Sequence, residues 1–248
     1  MIELKNIAKT FNGHKVLEGL DLTINTGESM VIIGRSGCGK SVLLKHIIGL
    51  MRPDSGEVVI DGTDITRVNS KSMNKIRMNF GMLFQGAALF DSLTVLENVG
   101  FQLFEYTNMS LEEIRQRVGE CLKLVGLSGI ENTKPAELSG GMKKRVGLAR
   151  AICMSPKIIL FDEPTTGLDP IMGDIINDLI RHLHETLGVT SITVTHDMKS
   201  AYKIADRIAM LYDKRIIATG TPDEIKNSEN GIVRQFINGD ANGPIVIG

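Results

Sequence analysis

Apolar and polar residues alternate early in the chain, where Leu20, Leu22 and Ile24 occupy every second position of GLDLTIN. A two-residue period predicts a strand with one face buried. SMVIIG is instead a short, wholly apolar run, the pattern of a strand buried on both faces. From Lys40 the period lengthens: Val42, Leu43, Leu44, Ile47 and Ile48 make one broad apolar face of a helix that should end near the breakers of MRPDSG. GEVVIDG and NFGMLF predict further strands, and from about Asp91 to Ala151 helices and loops take over. In SLEEIRQRVGECLKLVGL, residues Leu111, Ile114, Val118, Leu122 and Val125 fall at helical spacing, with Ser110 and Glu113 as a capping box. Strand–helix alternation then resumes with the strand KIILF, a helix from about Pro170 to Leu187 stopped by Gly188, and the strand VTSITVT. The last helix should open at TPDE, with Thr221 as cap, Pro222 at the first helical position and Glu224 closing the box. No internal repeat or low-complexity segment interrupts this order. The pattern predicts an α/β core, with a helical insertion over about 91–151 that begins just after Gln85.

Composition narrows the function classes. The chain has 248 residues, 42% of them hydrophobic, enough for a substantial core. With 28 basic and 29 acidic residues there is no electrostatic footprint for nucleic acid, and no nucleic-acid partner is expected. Cys38, Cys121 and Cys153 are too few and too scattered for a disulfide framework or a zinc site, which suggests a reducing compartment. No apolar run approaches the roughly 18 residues needed to span a bilayer, and MIELKNIAKT lacks the apolar stretch of a signal peptide. The expected location is the cytoplasm; any membrane work would need spanning helices from another polypeptide.

The chemistry begins at Gly34-Arg35-Ser36-Gly37-Cys38-Gly39-Lys40-Ser41, which fits G-x-x-x-x-G-K-[ST] between a predicted strand and a predicted helix. Glycines there let successive amides turn toward phosphates, Lys40 adds a positive charge, and the Ser41 hydroxyl suits Mg²⁺. Cys38 reads as a small filler of that loop. KIILFDE adds Asp162 at a strand end as a carboxylate for Mg²⁺, direct or water-mediated, and Glu163 as the group that polarises an attacking water. Alone, such an acidic pair reads better as surface charge at a strand end; beside the glycine-rich loop it reads as a site. Gln85 and His196 each follow an apolar strand, at the strand ends where such folds bind ligands. Gln85 is expected to face Mg²⁺ and water, and His196 a phosphate oxygen. A second anion-binding turn stands at LSGGMKKR, Leu138 to Arg145, where a serine and two glycines open a helix. Taken by itself it could be an ordinary glycine pair in a loop.

Taken together these motifs resemble the nucleotide-binding subunit of ABC transporters over roughly the first 220 residues: GRSGCGKS, the glutamine of MLFQ, LSGG, ILFDE, TGLD and the histidine of THD, in that order. The resemblance implies a P-loop NTPase of ABC type, an α/β fold with a mixed sheet core, an N-terminal antiparallel β subdomain and an inserted helical subdomain. It implies a nucleotide-binding domain over 1–220 and a C-terminal helix with a short tail over 221–248. The implied cofactors are ATP and Mg²⁺, with Phe11 stacking on adenine. Two copies would pair head to tail, so that Ser139, Gly140 and Gly141 of one hold the γ-phosphate bound by the other, and Asp169 would bridge the two sites. Met142 in place of the usual glutamine, Gly-Ala-Ala-Leu-Phe after Gln85 and the tail VRQFINGDANGP look like the ATPase of Mla-type phospholipid transporters. That likeness implies a multi-spanning permease, an MCE lipid-binding subunit and a small STAS-type subunit as partners, at the cytoplasmic face of the inner membrane. The stretch from Met82 to Leu103, rich in Met, Leu and Phe, reads either as core of the insertion or as a groove whose soft side chains receive a coupling helix of the permease. The alternatives are a soluble ATPase of iron–sulfur assembly and an importer or exporter ATPase for another substrate.

Overall fold

The computed structural model describes residues 1–245. They divide into two compact units, one made of Met1–Met73 with the stretch from Ile192 onward, the other of Asn74–Ser191.

The first unit opens with strands β1 (Ile2–Phe11) and β2 (His14–Ile24), an antiparallel hairpin whose tight turn places Asn12 and Gly13 at positive φ. The alternation read from the sequence is realised here: Leu20, Leu22 and Ile24 are buried, as are Ile2, Leu4 and Ile7 opposite them. Strand β3 (Ser29–Ile33) is buried at every position, as its continuous apolar run requires, and is followed by α1 (Lys40–Ile47). Strands β4 (Ser55–Ile60) and β5 (Thr63–Asp64) complete a four-stranded sheet of order β2-β1-β4-β5. The β1–β4 register slips between Lys5 and Ala8, with Asn6 left-handed at the irregularity. A side chain at Gly56 would strike the Asn6 backbone, so this bulge depends on glycine. Helix α2 (Ser70–Arg77) follows.

The second unit contains strand β6 (Phe80–Leu83), helices α3 (Val95–Tyr106), α4 (Leu111–Leu124) and α5 (Gly140–Ile152), strand β7 (Ile158–Asp162) and helix α6 (Pro170–Leu187). Strands β6 and β7 run parallel, with Phe80 opposite Ile158 and Leu83 opposite Phe161. The Ser110–Glu113 capping box on α4 is present, and Gly188 ends α6 at φ 60, both as the sequence predicts. A further box, Thr94 with Glu97, starts α3. The buried Asn98 side chain organises the segment before it, accepting from the Phe90 amide and donating to the carbonyls of Phe90, Leu93 and Thr94. Arg117 of α4 donates to the Ile152 and Cys153 carbonyls and to Ser155 Oγ, placing a cation where the α5 dipole is negative. Cys121 and Cys153, far apart in sequence, are hydrogen-bonded thiols in the buried contact between α4 and α5. That bond and burial together push the Cys153 thiol well above the ordinary cysteine range.

Strand β8 (Thr190–Thr195) leads back to the first unit, where α7 (Met198–Ile204), β9 (Arg207–Tyr212), β10 (Arg215–Gly220), α8 (Pro222–Lys226) and α9 (Gly231–Asn238) follow. Strand β9 is parallel to β3 and antiparallel to β10, so the sheet there is mixed. Helix α8 starts with the predicted Thr221–Glu224 box and with Pro222 in its first turn. The tail folds back on α9: Gln235 accepts from the Ile245 amide and donates to the Ile245 and Asp240 carbonyls. Gly243 passes so close to Gln235 that no side chain fits.

Candidate nucleotide site

The cradle runs from the end of β3 into α1. A Cβ on Gly34 would come 2.5 Å from the Leu211 carbonyl and 2.8 Å from Cys38 Sγ, so packing requires glycine at 34. Gly37 and Gly39 have φ of 78° and 109°, and Gly39 caps α1 with no side chain of its own. Arg35 and Ser36 are exposed around the turn, and Ser41 lies in the first turn of α1. Lys40 is 6% exposed; its Nζ donates to the Gly34 carbonyl at 2.8 Å and the Arg35 carbonyl at 3.1 Å. The ammonium thus lies against the glycine-rich turn between β3 and α1, its positive charge held at the loop. In the same unit Phe11 ends β1 half exposed, with Lys9 Nζ 5.6 Å from its ring centroid. His196 follows β8 and is exposed, and Asp197 next to it caps α7 through the Lys199 and Ser200 amides.

In the second unit β6 ends at Leu83, so Gln85 stands two residues beyond the strand in an exposed turn. Asp162 is the last residue of β7, and Glu163 follows at φ 47, a left-handed conformation unusual for a glutamate. Glu163 is 9% exposed, and one carboxylate oxygen accepts from Thr166 Oγ1 at 3.2 Å. Left-handed backbone at a buried glutamate persists only where the surrounding structure holds it. Ser139 is the N-cap of α5, accepting from the Met142 amide at 3.3 Å, and both Ser139 and Gly140 are exposed. Gly141 is buried against Met172, whose terminal methyl would have to shift to admit a Cβ. Asp169 caps α6 through the Ile171 and Met172 amides, both at 3.0 Å, so its carboxylate also shapes its own chain.

The fold therefore groups the predicted residues by unit: Phe11, the cradle and His196 in the first; Gln85, Asp162, Glu163, the LSGG turn and Asp169 in the second. Lys144 was not visible as a site residue from the sequence. It is 5% exposed on α5, and its Nζ donates to the Gln85 carbonyl and, at 3.4 Å, to the Glu163 carbonyl. Burial pulls this ammonium below the ordinary lysine range, while the charges of Asp162 and Glu163 oppose the shift. Nothing in LSGGMKKR marks which of its two lysines turns inward, because both contacts lie far away in sequence.

Among the described residues no group of three His, Cys, Asp or Glu side chains could hold a metal unaided, and no helix is long and apolar enough to cross a membrane. Each unit carries hard oxygen donors at its own motifs, the Ser41 hydroxyl in the first and the Gln85 amide and Asp162 carboxylate in the second; oxygens of this kind are what Mg²⁺ takes as ligands.

Comparison with known proteins agrees with this chemistry. The ABC transporter family model matches residues 17–166. The chain is 44% identical, over 98% of its length and 68% of the relative, to the probable ribonucleotide transport ATP-binding protein mkl of Mycobacterium tuberculosis. It is 41% identical, over 99% of its length and 93% of the relative, to the intermembrane phospholipid transport system ATP-binding protein MlaF of Haemophilus influenzae. Among solved structures, the dimeric post-hydrolysis state of the ATP-binding cassette MJ0796 bound to ADP and Pi matches with a TM-score of 0.82 at 39% identity. That match covers 90% of this chain and 99% of the other. With the family model matching more than half of its length and these relatives covered through most of theirs, the chain belongs to the ABC transporter family as an ATP-hydrolysing subunit.

Proposed function

We propose that this chain powers phospholipid transport between bacterial membranes, as a pair of copies closing on two ATP molecules beneath a membrane permease. The observation that carries the lipid assignment is the match to MlaF, which runs through nearly the whole of both chains at 41% identity. The mkl relative, named for ribonucleotide transport, has a similar identity but is covered over only 68% of its length.

In this reading the first unit supplies the nucleotide grip: Phe11 for the base, the amides of residues 34–41 and the Lys40 ammonium for the phosphates, and His196 for a γ-phosphate oxygen. The second unit supplies Asp162 and Gln85 for Mg²⁺, and Glu163 to polarise the attacking water. Ser139, Gly140 and Gly141 serve the ATP of the opposite copy, the exposed head of α5 offering amides and the positive end of its dipole. The dimeric form of MJ0796 supports such pairing. The stretch from Met82 to Leu103, in which Phe84 and Phe90 are exposed, supplies the groove for a permease helix. An MCE lipid-binding subunit and a STAS-type subunit complete the assembly, which places this chain on the cytoplasmic face of the inner membrane.

The decisive experiment purifies the membrane complex through a tag on this chain and follows ATP-dependent transfer of a labelled phospholipid between vesicle populations. Transfer should require ATP and cease with Glu163→Gln. A complex that moves no phospholipid, but carries an amino acid or a nucleotide, refutes the lipid assignment and leaves the ATPase assignment standing.

A further inference from the structure

Helix α5 does more than present Ser139 at its head. Lys144, Gly147 and Arg150, spaced three apart, lie on one face, and all three turn onto the segment after β6. Lys144 donates to the Gln85 carbonyl, and Arg150 donates to the carbonyls of Ala87 at 2.5 Å and Ala88 at 2.7 Å. Between them, a Cβ on Gly147 would come 2.7 Å from Leu83 Cδ1 and 3.3 Å from Ala87 Cβ, so the helix sits as close to the loop as glycine permits. Lys144 also reaches back to the Glu163 carbonyl at 3.4 Å.

These contacts fall on strained backbone. Among the described residues of 74–191, the non-glycine residues at positive φ are Ala87, Ala88, Ser155 and Glu163. Three of those four give their carbonyls to Lys144 or Arg150. Left-handed backbone brings the Cβ of an L-residue too close to the carbonyl oxygen that follows, and such conformations persist only where their surroundings over-determine them. A pair of cations on one rigid helix face is such a surrounding. An exposed lysine would do this poorly, since water would compete for every carbonyl. At 5% exposure the Lys144 ammonium has lost that competitor.

We propose that Lys144 is a positioning residue for ATP hydrolysis, holding Gln85 and Glu163 in fixed register with each other and with Ser139 at the head of the same helix. The proposal rests on the roles given above to Gln85 and Glu163. It assigns to α5 the mechanical link between the loop expected to feel the permease and the carboxylate that orients water. A displacement of about 1 Å at a reacting group costs on the order of a hundredfold in rate, so loss of the link should fall on the chemical step. Nucleotide binding should be spared, because the cradle of residues 34–41 takes no part in these contacts.

The test is steady-state ATP hydrolysis by the purified full chain, with thermal unfolding measured alongside. Lys144→Met keeps the apolar stem and removes the donors; kcat should fall tenfold or more, with KM for ATP within twofold of the parent. Lys144→Arg restores a buried cationic donor and should recover kcat to within threefold. The proposal is overturned if the Met variant keeps kcat within twofold, if KM rises as kcat holds, or if Arg falls as far as Met and both unfold early. Should Lys144→Met not fold, Lys144→Gln takes its place under the same thresholds; failure of both to fold makes Lys144 a scaffold residue and also overturns the proposal. Glu163→Gln separates the two readings. Full activity in that variant refutes the role of Glu163 itself, whereas an inactive Glu163→Gln beside an unaffected Lys144→Met sinks only the role of Lys144.

Discussion

Gly81 and Gly119 show how little a residue's type says without its surroundings. Gly81 lies in β6 with its α-carbon against the Ala151 backbone, and an added methyl would collide with that carbonyl. Gly119 lies mid-helix in α4, and an added methyl would meet nothing within 4 Å. Gly81→Ala should therefore destabilise the chain by about 1–3 kcal/mol, the cost of forcing atoms into a packed interior. Gly119→Ala should stabilise it by roughly 0.5–1 kcal/mol, since alanine has less backbone freedom to lose on becoming helical. Denaturant unfolding measures both, and changes of the same sign would contradict the packing seen around one of them. At this scale the cradle was legible in the sequence, because its eight residues are contiguous and their roles depend on local backbone. Lys144 was not, because its partners Gln85 and Glu163 lie 59 and 19 residues away.

Helices are set by signals short enough to read directly. The boxes Ser110–Glu113 and Thr221–Glu224 were predicted from residue types three apart, and both form. The Thr94–Glu97 box of α3 has the same spacing and forms equally well. In each the glutamate accepts from the backbone amide of the cap residue, which holds its carboxyl below the ordinary glutamate range. A carboxyl with a depressed folded pKa adds stability that is complete above its unfolded pKa and is lost as pH falls through the folded one. Thermal stability should therefore decline as pH drops below the ordinary glutamate range, with Glu97, Glu113 and Glu224 contributing. Glu113→Gln should flatten part of that decline while lowering stability near neutral pH; an unchanged pH profile would show that this box does not hold its proton equilibrium. Elements whose stability comes from distant contacts gave no such signal. The segment before α3 is organised by Asn98, a residue that in sequence is one polar position on an otherwise apolar helix face.

For the molecule as a whole, nucleotide and fold should be linked through mass action. A ligand that binds only the folded chain stabilises it by about 2.7 kcal/mol at a hundredfold excess over its dissociation constant. ATP with Mg²⁺ should raise the thermal midpoint of the parent and of Glu163→Gln, and should have little effect on Lys40→Ala, which lacks the phosphate-facing ammonium. Sizing of Glu163→Gln with saturating ATP and Mg²⁺ should show a stable pair of copies. Adding Gly141→Leu should abolish that pair, because the added bulk stands at the head of α5, the surface proposed to meet the partner's ATP. A Glu163→Gln chain that stays single in the membrane complex, where the permease brings two copies together, would remove the basis for a shared site.

The amino-acid sequence by itself determined the periodic elements, their caps and the phosphate cradle, because each depends on residues within a few positions of one another. It also carried the order of motifs that marks the family. Only the tertiary structure decided which lysine of LSGGMKKR turns inward, that Glu163 and Ala87–Ala88 adopt left-handed backbone, and that one face of α5 grips both. The two thiols of Cys121 and Cys153 likewise became neighbours only when α4 packed on α5. The physical reason is the same in each case: hydrogen bonds and close packing act over a few ångströms in space, and chain folding alone decides which distant residues come that near.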